Sequence, residues 1–275
     1  MKYATALLTA ISFITFQIQP TVAGVDCGSD DFDDNIKNTN LWGTDLDFGP
    51  DGGLVETHGR LEFWGTGPAI RPYAWSYRSY GRDWETITDV SLGDVQLNQP
   101  DSHVQMFIVA ANRADTNLIS GLPGDHLVMV LDLYSSTGVG AARTFEVNFR
   151  TDWNELEPRT NVLTASEQAG LRISFDATSK TLTGWYDANG SVGGYDWTAL
   201  RSRQVDVTGS NWQMTSNSTF AVFVGASCES FDVTSNDLVY VDTFMMTDQA
   251  RKPLTESGCV TVQRRARQAF SRSHP

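Results

Sequence analysis

Cysteine is scarce in this 275-residue chain, which has only Cys27, Cys228 and Cys259. None stands at the spacing of a zinc site, and the four histidines are scattered. The sulfur and nitrogen ligation that zinc demands therefore has no source here. Positive charge is also thin: 20 Lys and Arg against 33 Asp and Glu give a formal net charge of −13. Several of the arginines fall in the last segment, "QRRARQAFSRSHP", so the body of the chain is more acidic still. Such a surface repels nucleic acid and anionic lipid and leaves a neutral glycan or a divalent cation as a compatible partner. Past the N-terminal segment no apolar run reaches the ~20 residues that cross a bilayer, so no membrane insertion is expected. No fixed period repeats, which argues against a propeller or solenoid. Helical periodicity is nearly missing, and only residues 164–170, "TASEQAG", read as a turn of helix.

What is present begins with Lys2, the apolar stretch "ATALLTAISFITF" and the small-residue exit "TVAG". Together these read as a cleaved secretory signal over residues 1–24. Asp26 precedes Cys27 where a lipoprotein site would want a small residue, so the mature chain is expected to be a soluble monomer, secreted or periplasmic. In that oxidising compartment three cysteines imply one bridge and one remaining thiol. Cys27 lies before the first expected strand and Cys259 after the last, so a bridge between them would tie the two termini. Cys228, inside "FAVFVGASC", would then be a buried thiol. Residues 251–275, basic and without apolar periodicity, read as a loosely ordered tail.

Between these ends, residues 25–250 form one expected domain of short runs rich in β-branched and aromatic residues, broken by Gly, Asn, Asp, Ser and Pro. That is an all-β antiparallel pattern. The clearest unit is "LRISFDATSKTLTGWYDANGS", where Leu171, Ile173 and Phe175 alternate with polar residues before a "DATSK" turn, a β-hairpin. A sandwich, a jelly roll and a closed barrel remain open on this pattern.

The opening "DDFDD" with the nearby "LW", the central hairpin and the closing "LVYVDTFMM" together resemble the concanavalin A-like lectin/glucanase superfamily. The resemblance implies a jelly-roll β-sandwich of two antiparallel sheets that binds or cleaves sugar on its concave face. It also implies a structural Ca2+ between the start of the domain, at Asp33, and Asp242 in the last strand. Asp242 interrupts an apolar strand and needs a partner if buried. A second acidic run, "GTDLDFGPDGGLVE", places Pro50 where a calcium loop needs Gly and reads as a turn.

Residues two apart on a strand share a face. In "IRPYAWSYRSY", Tyr73, Trp75 and Tyr77 therefore line one side, either filling the core or offering aromatic faces on which a sugar ring can stack. Opposite the apolar faces of three further strands lie Gln105, then Asp132, then Glu146, Asn148 and Arg150. If those strands share a sheet, these polar groups project together as a ligand-binding set. A glycoside hydrolase would need two carboxyls flanking the bond, and Asp132 with Glu146 is the candidate catalytic pair. The Glu-x-Asp-x-x-Glu strand motif of the superfamily's glucanases is absent. A polysaccharide lyase would instead use a His or Tyr base with Asn or Arg against a uronate, for which His103, Asn148, Arg150 and Tyr77 supply the residue types. The leading expectation is an exported carbohydrate-binding domain without catalysis. The alternatives are a hydrolase or lyase, or a structural and interaction domain of the cell surface. Asn189 and Asn217 head glycosylation sequons.

Overall fold

The computed structural model describes residues 28–37, 42, 51–67, 69–74, 78–112, 124–138, 140–151, 154–155, 159–208 and 210–248. The expected signal segment 1–24, the tail 251–275, both expected disulfide partners Cys27 and Cys259, and Trp75 and Tyr77 of the aromatic row lie outside the described residues.

Alternation drives the architecture. Among the described residues sixteen strands form, in chain order β1 (Gly28–Asp30), β2 (Asp51–Thr57), β3 (Arg60–Thr66), β4 (Ala69–Ala74), β5 (Arg78–Ser79), β6 (Trp84–Ser91), β7 (Ser102–Asn112) and β8 (His126–Ser136). They continue with β9 (Gly140–Thr151), β10 (Asn154–Glu155), β11 (Thr160–Thr164), β12 (Gln168–Asp176), β13 (Thr181–Asp187), β14 (Thr198–Gln204), β15 (Thr219–Glu229) and β16 (Tyr240–Asp248). They pair antiparallel into two sheets. The first runs β14-β13-β12-β6-β16-β3-β2, with β1 also on β16. The second runs β10-β9-β8-β7-β15-β4, with β11 beside β9 and β5 beside β15. Contacts of β12 with β7 and β8, of β13 with β8 and of β3 with β15 stack one sheet on the other. The result is a β-sandwich, as the superfamily resemblance implied.

The layer between the sheets takes every second residue. Val104, Met106 and Ile108 of β7, Leu127, Met129, Leu131 and Leu133 of β8, and Phe145, Val147 and Phe149 of β9 are buried there. They meet Leu171, Ile173, Phe175 and Leu182 from the hairpin of the first sheet. Burying a side chain of this size contributes roughly 1.5–3 kcal/mol. Close approach of the sheets requires Gly184, because a Cβ there would lie 2.2 Å from Met129 Sδ. The expected hairpin is β12–β13. Asp176 Oδ1 accepts the amides of Thr178 and Ser179 at 2.7 and 2.9 Å and shapes its turn, which leaves Lys180 at a φ of 57°.

Two local expectations are corrected. Residues 164–170 contain no helical turn: Thr164 ends β11 and Gln168 starts β12. Alternation explains this, since Ala169 and Leu171 both enter the core on strand spacing. The run expected to be a turn over residues 43–56 is a strand from Asp51 onward, where β2 pairs with β3 from Asp51↔Thr66 to Thr57↔Arg60. The Trp64 indole lies over Gly53, which has no side chain to obstruct it.

The acidic start of the domain is a clasp. Strand β1 pairs with β16, so the first and last strands meet. Asp30 Oδ2 accepts Trp42 Nε1 at 2.6 Å, and its Oδ1 accepts the Phe32 amide at 3.0 Å. Phe32 and Trp42 are buried and stacked 5.9 Å apart, and Trp42 meets Phe244 of β16 at 5.0 Å. Cys228 is a buried thiol that donates to Gly65 O at 3.6 Å.

Candidate functional site

The polar side of the second sheet is built by register. Gln105 of β7 stands opposite Asp132 of β8 and opposite Ser227 of β15. One step along, Phe107 faces Val130, and Val130 faces Glu146 of β9. The next rows bring Val128 opposite Asn148, then His126 opposite Arg150. Because the core faces of these strands are saturated with apolar residues, their alternate positions all project from the outer side of the sheet.

There they surround a cavity of about 170 Å³. Its polar lining includes His103, Gln105, Glu146, Asn148, Arg150 and Arg159. Its floor is apolar, with Phe107, Val128 and Val130 continuing into a buried strip that includes Val109 and Phe223. His126 and Ser227 complete the described lining. Thus five residues expected to bind ligand or act on it, His103, Gln105, Glu146, Asn148 and Arg150, border one space.

Asp132 behaves differently. It is 4% exposed and is not among the cavity's lining residues, so it lies next to the cavity rather than in it. Gln105 bridges the two: its carbonyl accepts Ser227 Oγ at 3.2 Å while its amide donates to Asp132. The other carboxyl oxygen, Oδ1, is buried without a hydrogen-bond partner among the described residues. Burial above all, then the negative charge of Glu146, pushes the Asp132 carboxyl up to about 7. Glu146 is held by the Thr144 hydroxyl at 3.1 Å and faces Arg159 Nη1 at 3.5 Å. Burial pulls the His103 ring below its ordinary value, against the opposing pull of Glu229 at 3.7 Å, so the ring is neutral at neutral pH.

The far end of the cavity is braced from outside the sheet. Trp212 stacks on Phe149 at 5.0 Å, and its Nε1 donates to Arg150 O and to Thr151 Oγ1, both at 3.1 Å. Asn112 Nδ2 donates to Trp212 O at 2.8 Å and to Asp125 Oδ2 at 3.3 Å. One network thus locks the strand ends carrying Arg150 and His126. His126 and Ser227 were legible in principle, since His126 shares strand parity with Asp132 and Ser227 with Phe223. Arg159 lies outside any strand and has no such signal.

Of the expected aromatic row, Tyr73 lies on β4 in register with Val224, while Trp75 and Tyr77 fall outside the described residues. Asp33 and Asp242, the expected calcium ligands, both lie near Asp31. Among the described residues no group of three or more His, Cys, Asp or Glu side chains is placed to hold a metal ion. Asp33 is exposed, and both oxygens of neighbouring Asp30 already accept hydrogen bonds. Asp242 sits at a bulge between Val241 and Thr243, half-buried, where burial raises its carboxyl against the opposing Arg60 charge. The described residues alone therefore supply no complete calcium shell.

No protein-family model matches the chain, and no curated protein matches it. Solved structures do. Lectin II from Ulex europaeus is 12% identical with a TM-score of 0.51, covering 82% of this chain and 99% of its own. The winged bean acidic lectin complexed with methyl-α-D-galactose is 14% identical with a TM-score of 0.54, covering 82% and 100%. The potassium-bound carbohydrate recognition domain of Emp46p is 10% identical with a TM-score of 0.51, covering 81% and 96%. At such identities the likeness is one of fold, and the fold is the concanavalin A-like lectin sandwich.

Proposed function

We propose that this chain is an exported carbohydrate-binding protein that holds a glycan against the outer face of the second sheet without cleaving it. One observation carries the reading: the Gln105 and Asn148 amides, His103 and Arg150 converge on a cavity floored by Phe107, Val128 and Val130. A sugar presents the complementary pair of surfaces, hydroxyls at its edge and C–H groups on its face. Pockets that orient a ligand by a few placed polar groups over apolar walls have this composition. The lectin-like fold supports the same reading, since the winged bean lectin of the same fold is complexed with a galactoside. Export rests on the signal-like N-terminal sequence.

Hydrolysis is the weaker fit. It needs two carboxyls at the ligand, and Glu146 is the sole acid among the described lining residues. A lyase reading has one observation in its favour: neutral His103 shares the cavity with Asn148 and Arg150, a base beside groups suited to neutralising a uronate.

The test is a glycan array followed by titration calorimetry on the mature domain. Asn148→Ala and Gln105→Ala should each weaken the best ligand about tenfold, the loss of one or two hydrogen bonds, with an unchanged melting midpoint. An array without a single bound glycan refutes the proposal. Release of unsaturated, ultraviolet-absorbing products, abolished by His103→Gln, would convert binding into lyase activity.

A further inference from the structure

We propose that Asn217 is a site of N-linked glycosylation and that Asn189, which heads the other matching sequence, is not. This site is independent of ligand binding at the cavity and requires only that the chain be exported, as read above. Asn189-Gly190-Ser191 and Asn217-Ser218-Thr219 both satisfy the sequon. Each offers two groups that a transferring enzyme must reach, the asparagine amide and the hydroxyl two residues on. The fold disposes of those groups differently at the two places.

Asn189 belongs to the connection between β13 and β14, which is folded onto the first sheet. Its Nδ2 donates to Val192 O at 2.7 Å, its backbone amide donates to Asp187 Oδ1 at 2.9 Å, and its carbonyl accepts the Val192 amide at 3.3 Å. The Ser191 hydroxyl is turned to the buried Asp89 carboxyl. Between the two, Gly190 is buried at a φ of 58°, where a Cβ would lie 2.9 Å from Asp89 Oδ1. Tyr195 fastens the same connection, its hydroxyl donating to Asp89 Oδ2 at 3.1 Å. Both groups of this sequon are thus used inside the loop, and an enzyme can take them only by lifting the loop from Asp89.

Asn217 lies in the connection between β14 and β15, within the turn Thr215–Ser218. That turn closes without its side chain: the Ser218 amide donates to Thr215 O and the Thr215 amide to Ser218 Oγ, both at 2.8 Å. Asn217 is exposed, and neither its amide group nor the Thr219 hydroxyl makes a hydrogen bond among the described residues. The backbone beneath is fixed, since the Tyr80 amide donates to Ser218 O at 3.1 Å and Thr219 pairs with Ser79 of β5. The donor is an oligosaccharide linked to a lipid pyrophosphate. Asn217 Nδ2 attacks its anomeric carbon, the bond from that carbon to the pyrophosphate oxygen breaks, the lipid pyrophosphate leaves, and one amide proton passes to a base of the enzyme. The attached glycan stands in solvent and costs the fold no described bond. It also stands beside β5, a short strand that pairs only with β15 among the described residues. A bulky, solvated chain there hinders the addition of a further strand.

The experiment translates the full chain into sealed microsomes that carry the transferase, with a proven secretory signal in front and a control sequon in a C-terminal tag. The product should carry one glycan beyond that of the tag. An amidase that releases N-linked glycans should remove it and leave an aspartate at position 217 in peptide mass spectrometry. Asn217→Gln should abolish this glycan, and Asn189→Gln should leave it in place. A chain glycosylated on the tag but not at Asn217 overturns the inference, and so does a glycan found at Asn189. Repeating the translation with the chain's own N-terminal segment alone separates the two readings: loss of both glycans there overturns export and leaves the acceptor site standing.

Discussion

Asp132→Asn changes one atom beside the cavity and removes one titration. In the folded protein the Asp132 carboxyl is pushed up to about 7 from an ordinary value of 3.8, first by burial and then by Glu146. Between those two pH values the folded state keeps a proton that the unfolded state has released. Stability therefore falls as pH rises from about 4 to about 7 and stays at the lower level above that. A difference of about three pH units, at about 1.4 kcal/mol each, places the effect on the order of 4 kcal/mol. The substituted amide cannot ionise, and its carbonyl can still accept the Gln105 amide that now donates to the aspartate. Urea unfolding of both proteins from pH 4 to pH 8 measures the difference. The two curves should nearly coincide at pH 4, separate in favour of the variant through pH 7, and run parallel beyond. An offset that is constant across the range, or a variant less stable above pH 7, would refute the electrostatic reasoning.

Other perturbations test the supports of the fold. Gly184→Ala drives a methyl into Met129 Sδ and should cost about 1–3 kcal/mol in denaturant melts. Adding Met129→Ala should then recover stability relative to the Met129→Ala protein alone, and an additive loss would contradict the clash. Asp30→Ala removes the acceptor of Trp42 Nε1 and of the Phe32 amide, with an expected loss of about 1–3 kcal/mol and a red-shifted tryptophan emission. Arg172→Ala removes a 2.6 Å ion pair with Glu85 and the guanidinium packed against Trp185 and Trp197. It should lower the melting midpoint and alter near-ultraviolet dichroism, and unchanged spectra would count against that packing. Chelator should leave the melting midpoint where it is, whereas a clear fall would place a stabilising cation that the described acidic residues do not account for.

Strand alternation made much of this molecule readable before its structure. The core faces of β7, β8 and β9 followed from Met106, Leu131 and Val147 because apolar residues at period two can bury only one side. The same rule put Gln105, Asp132, Glu146, Asn148 and Arg150 on the other side. What alternation does not carry is register, and register decided the site. A one-residue slip would have separated Gln105 from Asp132, and nothing local distinguishes a carboxyl that borders the cavity, Glu146, from one sealed beside it, Asp132. Edge strands were the least legible for a related reason. The exposed β14, "TALRSRQ", has little to bury, and β2 begins "DGG", a turn signal whose glycine here accommodates the Trp64 ring instead. Asp242 breaks the apolar pattern of its strand because a bulge lets a strand carry a residue outside the alternation.

Histidine rings offer the most direct view of whether ligand occupies the proposed face. Of the four histidines, His103 and His126 line the cavity, while His58 lies on the far sheet at the β2–β3 turn. In a nuclear magnetic resonance titration of the protein with its best array glycan, the ring signals of His103 and His126 should shift together and saturate at the calorimetric affinity, with His58 unmoved. Saturable binding that leaves both cavity histidines unshifted would contradict the account.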